Sequence, residues 1–324
     1  MDKTKLLITD GLGSDGLKML EDSGQFEIAF HKSLEKEDLK KIIGDYEAIV
    51  IRSATKLTKD LLDLAAKMKV VMRAGAGVDN VDVAHASSKG ILVFNCPGVN
   101  SQAVAELVLG FMFGLLREIP RATAGMKNGQ WEKKELVGHE ASGRTIGILG
   151  FGAIGCIVGK ACSALGMKVT AYDPRGAELS KDPKYSGVTT WAGSIDDVFA
   201  KADIVSVHIP LLPTTKNSIG KAQISKLKKG SYLINCSRGG IVNEADVLAA
   251  LNDGTLAGAA LDVFDQEPTP KDHPLVNHPK VICAPHIGAA TKESQTKIGI
   301  AAAKGLIGFY KEGDKTNAVN GKDL

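Results

Sequence analysis

The sequence of 324 residues has no long apolar run and little net charge. No stretch reaches the roughly 18 consecutive apolar residues that a membrane-spanning helix needs. The first residues lead directly into a short strand-like run, which is not the pattern of a signal peptide. Lys and Arg number 40 against 37 Asp and Glu, and the basic residues form no stripe. These absences predict a protein without a membrane or nucleic-acid partner.

Cysteines are few, odd in number and scattered, and none forms a C-x-x-C pair. This is not the pattern of a disulfide framework or of a zinc site, and it is typical of a reducing compartment. We therefore expect a cytoplasmic protein without a bound metal ion, whose cysteines are small core or near-site residues. The cysteines are Cys96, Cys156, Cys162, Cys236 and Cys283.

Short β-branched runs alternate with longer helical patterns along the chain. Strand-then-helix repetition predicts parallel sheets covered by helices on both faces. Eleven strands are many for one open sheet, and we therefore expect two sheets, with the division between them near residue 100. The strand-like runs occupy residues 5–9, 26–30, 48–51, 70–72, 91–94, 145–149, 168–171, 204–209, 231–235, 258–263 and 281–284.

The predicted fold class is α/β, with two doubly wound, Rossmann-like domains and an active site in the cleft between them. We expect the first domain to be discontinuous, formed by residues 1–98 and by 291–324, which begin with a helix. The second domain would comprise residues 99–290 and begin with an apolar helix. A polar segment around Trp131 is expected to be an exposed excursion or a subunit contact.

The strongest local motif is Gly150-Phe151-Gly152-Ala153-Ile154-Gly155, which follows a strand-like run and opens a helix of small residues. Such glycines let the backbone approach a pyrophosphate, whose charge the helix N-terminus attracts. The next strand ends in Asp173, which suits the ribose hydroxyls of NAD and repels the 2′-phosphate of NADP. Arg175 instead favours NADP, because an arginine can hold that phosphate. We predict an NAD site; the alternative is a structural turn without a ligand.

Three polar residues, Arg238, Glu267 and His286, each follow a predicted strand in the second half. Ligands of open α/β sheets bind at the carboxyl ends of strands. Oxidation of a hydroxyl group needs a base, which histidine suits, and a cation for the substrate carboxylate, which arginine suits. A carboxylate on the far ring nitrogen would set the tautomer of the histidine. The ordinary alternatives are a turn cap for Arg238, a solvated turn residue for Glu267, and packing or a loop hydrogen bond for His286.

These motifs, in this order, resemble the D-2-hydroxyacid dehydrogenase family over nearly the whole chain. The resemblance implies that His286 is the general acid/base, that Glu267 is its partner and that Arg238 anchors the substrate carboxylate. It also implies that Asp262 holds the nicotinamide carboxamide. The implied cofactor-binding residues are Gly150, Gly152, Ala153, Ile154, Gly155, Asp173, His208, Cys236, Ser237, Arg238, Asp262, His286, Gly288 and Ala289.

Within the family, the first domain looks most like the members that oxidise 3-phospho-D-glycerate. This implies that Arg52 and Arg73 contact a substrate phosphate, and that the product is 3-phosphohydroxypyruvate, formed in serine biosynthesis. The chain departs from many relatives at Ala76 and Ile209, where a hydroxyl-bearing residue is usual. The matching stretches are 51–58, 73–82, 95–101 and 126–132. The implied substrate-binding residues are Arg52, Ser53, Arg73, Gly75, Ala76, Gly77, Asn100, Arg238 and His286.

Family precedent implies a homodimer or higher homo-oligomer that assembles through the NAD domain, with Trp131 near the partner. Because the sequence ends at Leu324, we expect no C-terminal regulatory domain and no feedback inhibition by serine. Two alternatives keep the chemistry and change the substrate: a glyoxylate/hydroxypyruvate reductase and a D-lactate-type dehydrogenase. A third alternative, from another class, is an NAD-sensing binding protein like the corepressors built on this scaffold.

Overall fold

The structure is a computed structural model that describes residues 3–185, 187–322 and 324. The described chain divides into two compact units. The first unit extends to Asn100 and resumes at Ala289, and the second comprises Ser101–Gly288. Each unit is built on its own parallel β-sheet. Among the described residues, no helix combines the length and the apolar character that crossing a membrane requires.

The first unit contains a five-stranded parallel sheet in the order β2-β1-β3-β4-β5. Helices cover both faces, and separate apolar clusters lie on the two sides of the sheet. This explains why a strand such as Ala48–Ile51 is buried at every position instead of alternating with polar residues. The strands are β1 (Thr4–Ile8), β2 (Phe26–Phe30), β3 (Ala48–Ile51), β4 (Val70–Arg73) and β5 (Leu92–Phe94). The helices are α1 (Ser14–Asp22), α2 (Lys36–Ile42), α3 (Lys59–Leu64), α4 (Val83–Ser88) and the C-terminal α12 (Lys292–Glu312).

Helix α12 carries the chain back to the first unit. It begins after Thr291, whose side chain accepts a hydrogen bond from the backbone N–H of Ser294 at 3.0 Å. This N-cap satisfies a backbone donor that the first helical turn leaves unpaired. The helix buries Ile298, Ala302 and Leu306 in the apolar cluster that also contains residues of β1. The C-terminal helix therefore forms part of the core of the first unit.

The second unit contains a seven-stranded parallel sheet in the order β12-β11-β10-β9-β6-β7-β8. One face packs on α5 and α7 (Ser101–Leu116 and Ala153–Ala164), and the other packs on α9 and α11 (Ile195–Lys201 and Glu244–Asp253). The strands are β6 (Thr145–Leu149), β7 (Lys168–Tyr172), β8 (Thr190–Trp191), β9 (Ile204–Val207), β10 (Ser231–Asn235), β11 (Leu256–Leu261) and β12 (Val281–Cys283). The other helices are α6 (Ile119–Lys127), α8 (Gly176–Leu179) and α10 (Lys221–Ile224), and short 3₁₀ turns occupy Ile43–Asp45 and Pro183–Tyr185.

The predicted fold class, two doubly wound parallel sheets, is confirmed. The sequence pattern missed β8, which has two residues and pairs with β7 at the edge of the sheet. The predicted strand over 204–209 ends earlier, at Val207, because Pro210 has no N–H to donate to a ladder. The predicted strand over 258–263 is shifted and ends at Leu261. Trp131 is 76% exposed, in agreement with an exposed excursion.

The strand order of the second sheet reverses beside β6. From β6 the chain moves outward through β7 and β8, then returns to β9 on the other side and continues to β12. A reversal of this kind leaves a crevice outside the carboxyl ends of the two central strands, where ligands of such sheets bind. The residues after β6 and β9 therefore lie where a nucleotide site is expected.

Candidate active site

The glycine-rich turn lies between β6 and α7, at the point of strand reversal. Gly150 has a φ of 87°, and a Cβ there would lie 2.6 Å from the carbonyl oxygen of His208. A Cβ on Gly155 would collide with the carbonyl oxygen of Gly150, so glycine is needed here for close helix–strand packing. Gly152 differs, because a Cβ there would meet no described protein atom within 4 Å. Packing within the protein does not require this glycine, whereas a phosphate approaching the helix N-terminus does, so the turn fits a dinucleotide.

Asp173 follows β7 and is directed at the glycine turn. Its Oδ2 accepts a hydrogen bond from the backbone N–H of Phe151 at 3.0 Å. Burial by itself raises the pKa of Asp173, but the hydrogen bonds from Arg175 and from Phe151 outweigh it and bring the pKa below its ordinary 3.8. The side chain is therefore a carboxylate at neutral pH. An anion at this position is an acceptor for ribose hydroxyls.

Glu267 and His286 form a hydrogen-bonded pair beyond the carboxyl ends of β11 and β12. The Oε2 atom of Glu267 lies 2.8 Å from Nδ1 of His286, which leaves Nε2 as the ring nitrogen for another partner. The second oxygen of Glu267 accepts the backbone N–H of Phe264 at 3.0 Å. Burial raises the pKa of Glu267, but the hydrogen bonds from His286 and Phe264 and the charge of Arg238 together hold it below 4.5. The partner of the imidazole is therefore ionised at neutral pH.

Asp262 holds the turn that carries His286. Its two carboxylate oxygens accept the backbone N–H groups of Ile287 and Gly288, both at 2.8 Å, and its carbonyl accepts that of His286 at 2.8 Å. These bonds maintain His286 at a φ of 54°, a left-handed conformation that non-glycine residues rarely adopt. Burial raises the pKa of Asp262 even though both backbone donors act against the rise. The family resemblance implies a contact with the nicotinamide carboxamide here, which stays a prediction; the structure shows that Asp262 shapes the turn that carries His286.

Arg238 lies in the loop after β10, the strand next to β11. Its Nη1 donates to the carbonyl of Ser237 at 2.7 Å, and its own carbonyl accepts Nδ2 of Asn235 at 3.0 Å. The charge of its guanidinium contributes to the lowered pKa of Glu267. Three consecutive strands thus bring Arg238, Glu267 and His286 to the same edge of the sheet.

Sequence reasoning missed a second layer of contacts behind this edge. Asp265 accepts the backbone N–H of Gly240 at 2.6 Å and donates its own to Oε1 of Glu244 at 2.8 Å. Oε2 of Glu244 lies 3.0 Å from Nε2 of His273. These bonds join the loop of Arg238 to the segment that carries Glu267. No sequence pattern predicts these hydrogen bonds, because each joins residues that are more than 20 positions apart.

His208 lies beside the glycine turn, and Cys236 directly follows β10. Nε2 of His208 lies 2.9 Å from Oγ of Ser206, and Nδ1 is buried without a partner among the described residues. Burial lowers the pKa of His208 to about 4, so the ring is neutral at physiological pH. Burial also raises the pKa of Cys236 well above its ordinary value, which keeps the thiol protonated and unreactive. Among the described residues, no cluster of three or more potential metal ligands is present.

The two arginines of the first unit lie at the carboxyl ends of neighbouring strands. Arg73 ends β4 and Arg52 follows β3, and Ile51 is the register partner of Arg73. The loop of Arg52 is held by Asp10, which accepts its backbone N–H at 2.7 Å, and by Asn80, whose Nδ2 donates to its carbonyl at 2.6 Å. The guanidinium of Arg73 lies directly against the Cα of Gly75. The two cations are thus placed at one edge of the first sheet.

The remaining candidates occupy the loops that follow these strands. Ser53 is exposed beside Arg52, while Ala76, Gly77 and Asn100 are half-buried. The carbonyl of Ala76 accepts Nδ2 of Asn95 at 2.6 Å, which stabilises the loop after β4. In the second unit, Ser237 donates its backbone N–H to Oδ1 of Asn235 at 3.0 Å. Ala153 and Ile154 form the first turn of α7, and Ala289 packs against the core of the first unit.

Residues 109–288 match the family model of the D-isomer-specific 2-hydroxyacid dehydrogenases, NAD-binding domain. The match covers more than half of the chain, and the chain belongs to this family. The predicted family and the predicted cofactor, NAD, are confirmed. The glycine turn is the part of that domain whose geometry fits the nucleotide, and Asp173 lies beside it.

Curated relatives carry a more specific name. The D-3-phosphoglycerate dehydrogenase of Methanocaldococcus jannaschii is 42% identical over 316 residues, which are 98% of this chain and 59% of that protein. The protein of the same name from Rattus norvegicus is 43% identical over 321 residues, with 99% and 59% covered. The chain thus spans 59% of the length of these relatives.

Solved structures resemble the chain over nearly its whole length. A protein from Thermus thermophilus has a TM-score of 0.87 at 30% identity, with 97% of this chain and 99% of that chain covered. The NAD+-bound 3-phosphoglycerate dehydrogenase of Entamoeba histolytica has a TM-score of 0.81 at 28% identity, with 98% and 99% covered. A glyoxylate reductase from Paecilomyes thermophila has a TM-score of 0.86 at 25% identity, with 98% and 99% covered.

Proposed function

We propose that the chain is an NAD-dependent dehydrogenase that interconverts 3-phospho-D-glycerate and 3-phosphohydroxypyruvate, the reaction that opens serine biosynthesis. The observation that carries the proposal is the 2.8 Å pair of Glu267 and His286 at the edge of the sheet that also bears the glycine turn. The names of the curated relatives support the phosphorylated substrate. So do Arg52 and Arg73, two cations on neighbouring strands that suit a phosphate.

In the proposed reaction, Nε2 of His286 takes the proton of the substrate hydroxyl during oxidation and returns it during reduction. Glu267 holds Nδ1, so the ring presents the correct nitrogen and its cationic form gains a counter-charge. Arg238 binds the substrate carboxylate and polarises the oxygen at the reacting carbon. NAD, when bound, supplies the hydride acceptor. Asp262 maintains the turn on which this arrangement depends.

The substrate is tested by following NADH oxidation with 3-phosphohydroxypyruvate, hydroxypyruvate, glyoxylate and pyruvate. We expect the phosphorylated ketoacid to have the highest kcat/KM. Arg73→Ala should remove most of this preference, roughly tenfold or more, because one charge-assisted contact is lost. The matched control is Lys89→Ala, which removes an exposed cation of the same unit that pairs with Asp63 at 2.9 Å. A wild-type preference for hydroxypyruvate, glyoxylate or pyruvate would reject the proposed substrate in favour of the corresponding reductase or D-lactate-type enzyme.

The chemistry is tested with His286→Ala. We expect this variant to bind NADH with normal affinity, measured by nucleotide fluorescence, and to lose nearly all turnover. Normal turnover would reject the acid/base role. If the wild type bound NADH and turned over no 2-ketoacid at all, an NAD-sensing binding protein would replace the enzyme as the proposed function.

We also propose a homodimer formed through the second unit. Large apolar side chains are exposed in one stretch of this unit: Met126 (57%), Trp131 (76%) and Val137 (76%). Exposed apolar surface of this kind is typical of association sites. Trp131→Glu should yield monomers in sedimentation experiments, while Leu64→Glu, a similarly exposed apolar position in the first unit, should not. Unchanged sedimentation of the Trp131 variant would count against this interface.

We further propose that the protein acts in the cytoplasm. The five cysteines are free thiols, which supports a reducing compartment. Cell fractionation with an antibody against the chain would test this location, and recovery outside the cytoplasm would contradict it.

A further inference from the structure

The carboxylate of Asp173 is fully occupied by partners within the protein. Its Oδ1 accepts the backbone N–H of Arg175 at 2.9 Å and Nε of Arg175 at 3.1 Å. Its Oδ2 accepts the backbone N–H of Phe151 at 3.0 Å and Nη2 of Arg175 at 3.3 Å. An ionised carboxylate offers about four lone-pair sites, so no acceptor site is left for the ribose of a nucleotide.

Two of the four hydrogen bonds to Asp173 come from fixed backbone groups, and the other two come from a side chain that a ligand could displace. The N–H groups of Phe151 and Arg175 belong to the backbone of the turns around the site. The other two donors belong to the guanidinium of Arg175, whose side chain is 59% exposed, whereas that of Asp173 is 6% exposed. Ribose hydroxyls must therefore displace the guanidinium. Because the guanidinium is mostly exposed to solvent, it loses little when it leaves Asp173, and we expect the displacement to reduce nucleotide affinity by only a small factor.

The displaced guanidinium remains within reach of the same ribose. Its attachment is two residues from Asp173, and it keeps its charge in every rotamer. The planar fork of arginine matches the oxygens of a phosphate. Asp173 alone would repel a 2′-phosphate, but the ion pair of Asp173 and Arg175 has no net charge. Arg175 thus cancels the negative charge with which Asp173 would otherwise exclude nucleotides that carry a 2′-phosphate.

We propose that Arg175 is a specificity-determining residue of the nucleotide site. It competes with the ribose hydroxyls of NAD for Asp173, and it gives the site affinity for nucleotides that carry a 2′-phosphate. The chain accordingly binds NADP(H) as a second cofactor. This inference concerns the nucleotide site alone and does not depend on which ketoacid the protein uses.

The test uses 5′-AMP and 2′,5′-ADP, which differ only in the 2′-phosphate, and measures their binding to the full chain by calorimetry. The wild type should bind both. Arg175→Ala should bind 2′,5′-ADP about tenfold more weakly, the loss expected for one charge-assisted contact to a phosphate. Its affinity for 5′-AMP should stay equal or increase, because the competitor for Asp173 is gone. Fluorescence titration with NADH and NADPH should show the same change in ratio.

Two further variants separate charge from structure. Arg175→Lys keeps the cation without the fork and should retain most of the affinity for 2′,5′-ADP. Arg144→Ala removes an arginine at the amino end of β6, whose Nε donates to the carbonyl of Glu140 at 3.0 Å, and should leave the ratio unchanged. The proposal is rejected if the wild type does not bind 2′,5′-ADP, or if Arg175→Ala weakens both nucleotides equally. These readouts need no turnover, so they stand apart from any failure of the proposed enzymatic function.

Discussion

Replacing Glu267 with Gln removes the negative charge that lies beside the ring of His286, while it preserves the size of the side chain at position 267. The Oε1 atom of the new amide can still accept the backbone N–H of Phe264, which Glu267 binds at 3.0 Å. The amide NH₂ group then faces Nδ1 of His286, where Glu267 has an oxygen at 2.8 Å. Because an amide donates to this nitrogen, it favours the tautomer with the proton on Nε2. That tautomer cannot accept the proton of a substrate hydroxyl during oxidation, and during reduction the protonated ring would lack the counter-charge that Glu267 supplies.

The size of the effect follows from the geometry. A hydrogen bond to a charged group contributes about 1.5–3 kcal/mol. The side chains of Glu267 and His286 are 38% and 45% exposed, so solvent weakens the pair and the lower end applies. A loss of about 1.5 kcal/mol in the transition state corresponds to about a tenfold decrease in kcat. The affinity for NADH should not change, since the glycine turn and Asp173 are untouched.

The assay is steady-state NADH oxidation with 3-phosphohydroxypyruvate, together with NADH binding by fluorescence. The pH dependence adds a second criterion. Glu267 loses its charge only when the pH falls through its pKa, which lies below 4.5. The wild type should therefore keep its advantage over the variant throughout the neutral pH range, where Glu267 is ionised. A kcat within twofold of the wild type at neutral pH would refute the catalytic role of the pair.

The first unit supplies a matched control. Asp63 and His85 form another carboxylate–imidazole pair, in which Oδ1 of Asp63 lies 2.9 Å from Nε2 of His85, and neither residue belongs to the proposed site. Asp63→Asn removes a carboxylate charge beside an imidazole, as Glu267→Gln does. It should leave kcat close to that of the wild type, with at most a modest change in thermal stability. Equal losses in both variants would indicate a general effect of charge removal on the protein.

Other expected outcomes concern the glycine turn and the buried histidine. Gly152→Ala should keep the thermal midpoint, because the new methyl group meets no described protein atom within 4 Å, and should weaken NADH binding, because the methyl group would occupy the space that a phosphate needs at the helix N-terminus. Gly155→Ala should lose about 1–3 kcal/mol of stability through overpacking against Gly150. The reverse pattern in calorimetry and NADH titration would contradict this account. Burial lowers the pKa of His208 from 6.5 in the unfolded chain to about 4 in the folded protein, so protonation favours the unfolded chain. The free energy of unfolding should therefore fall by about 3 kcal/mol as the pH decreases from 6.5 to 4. Urea unfolding should show a shallower decline for His208→Gln, and an equal slope would count against the burial of the ring.

The local sequence pattern was sufficient to predict the fold class and the position of the glycine turn. Alternation of β-branched runs with helical segments predicts parallel sheets, because strands covered on both faces must be apolar throughout. The six residues from Gly150 to Gly155 carry their own geometric requirements, and Asp173 follows at a characteristic distance in sequence. The pattern also located Arg238, Glu267 and His286 after strands. These features depend on neighbours along the chain, which a sequence displays directly.

Only the tertiary structure decided how the polar groups share their hydrogen bonds. Both oxygens of Asp262 are used by the turn of His286, 24 positions away, and Asp265 joins the loop of Gly240 to the segment of Glu267. The saturation of Asp173 also depends on a rotamer that no sequence spacing specifies. Strand order determines which loops meet, and burial determines which acceptors lose water. Both emerge only after the chain has folded, because they depend on partners that are distant in sequence.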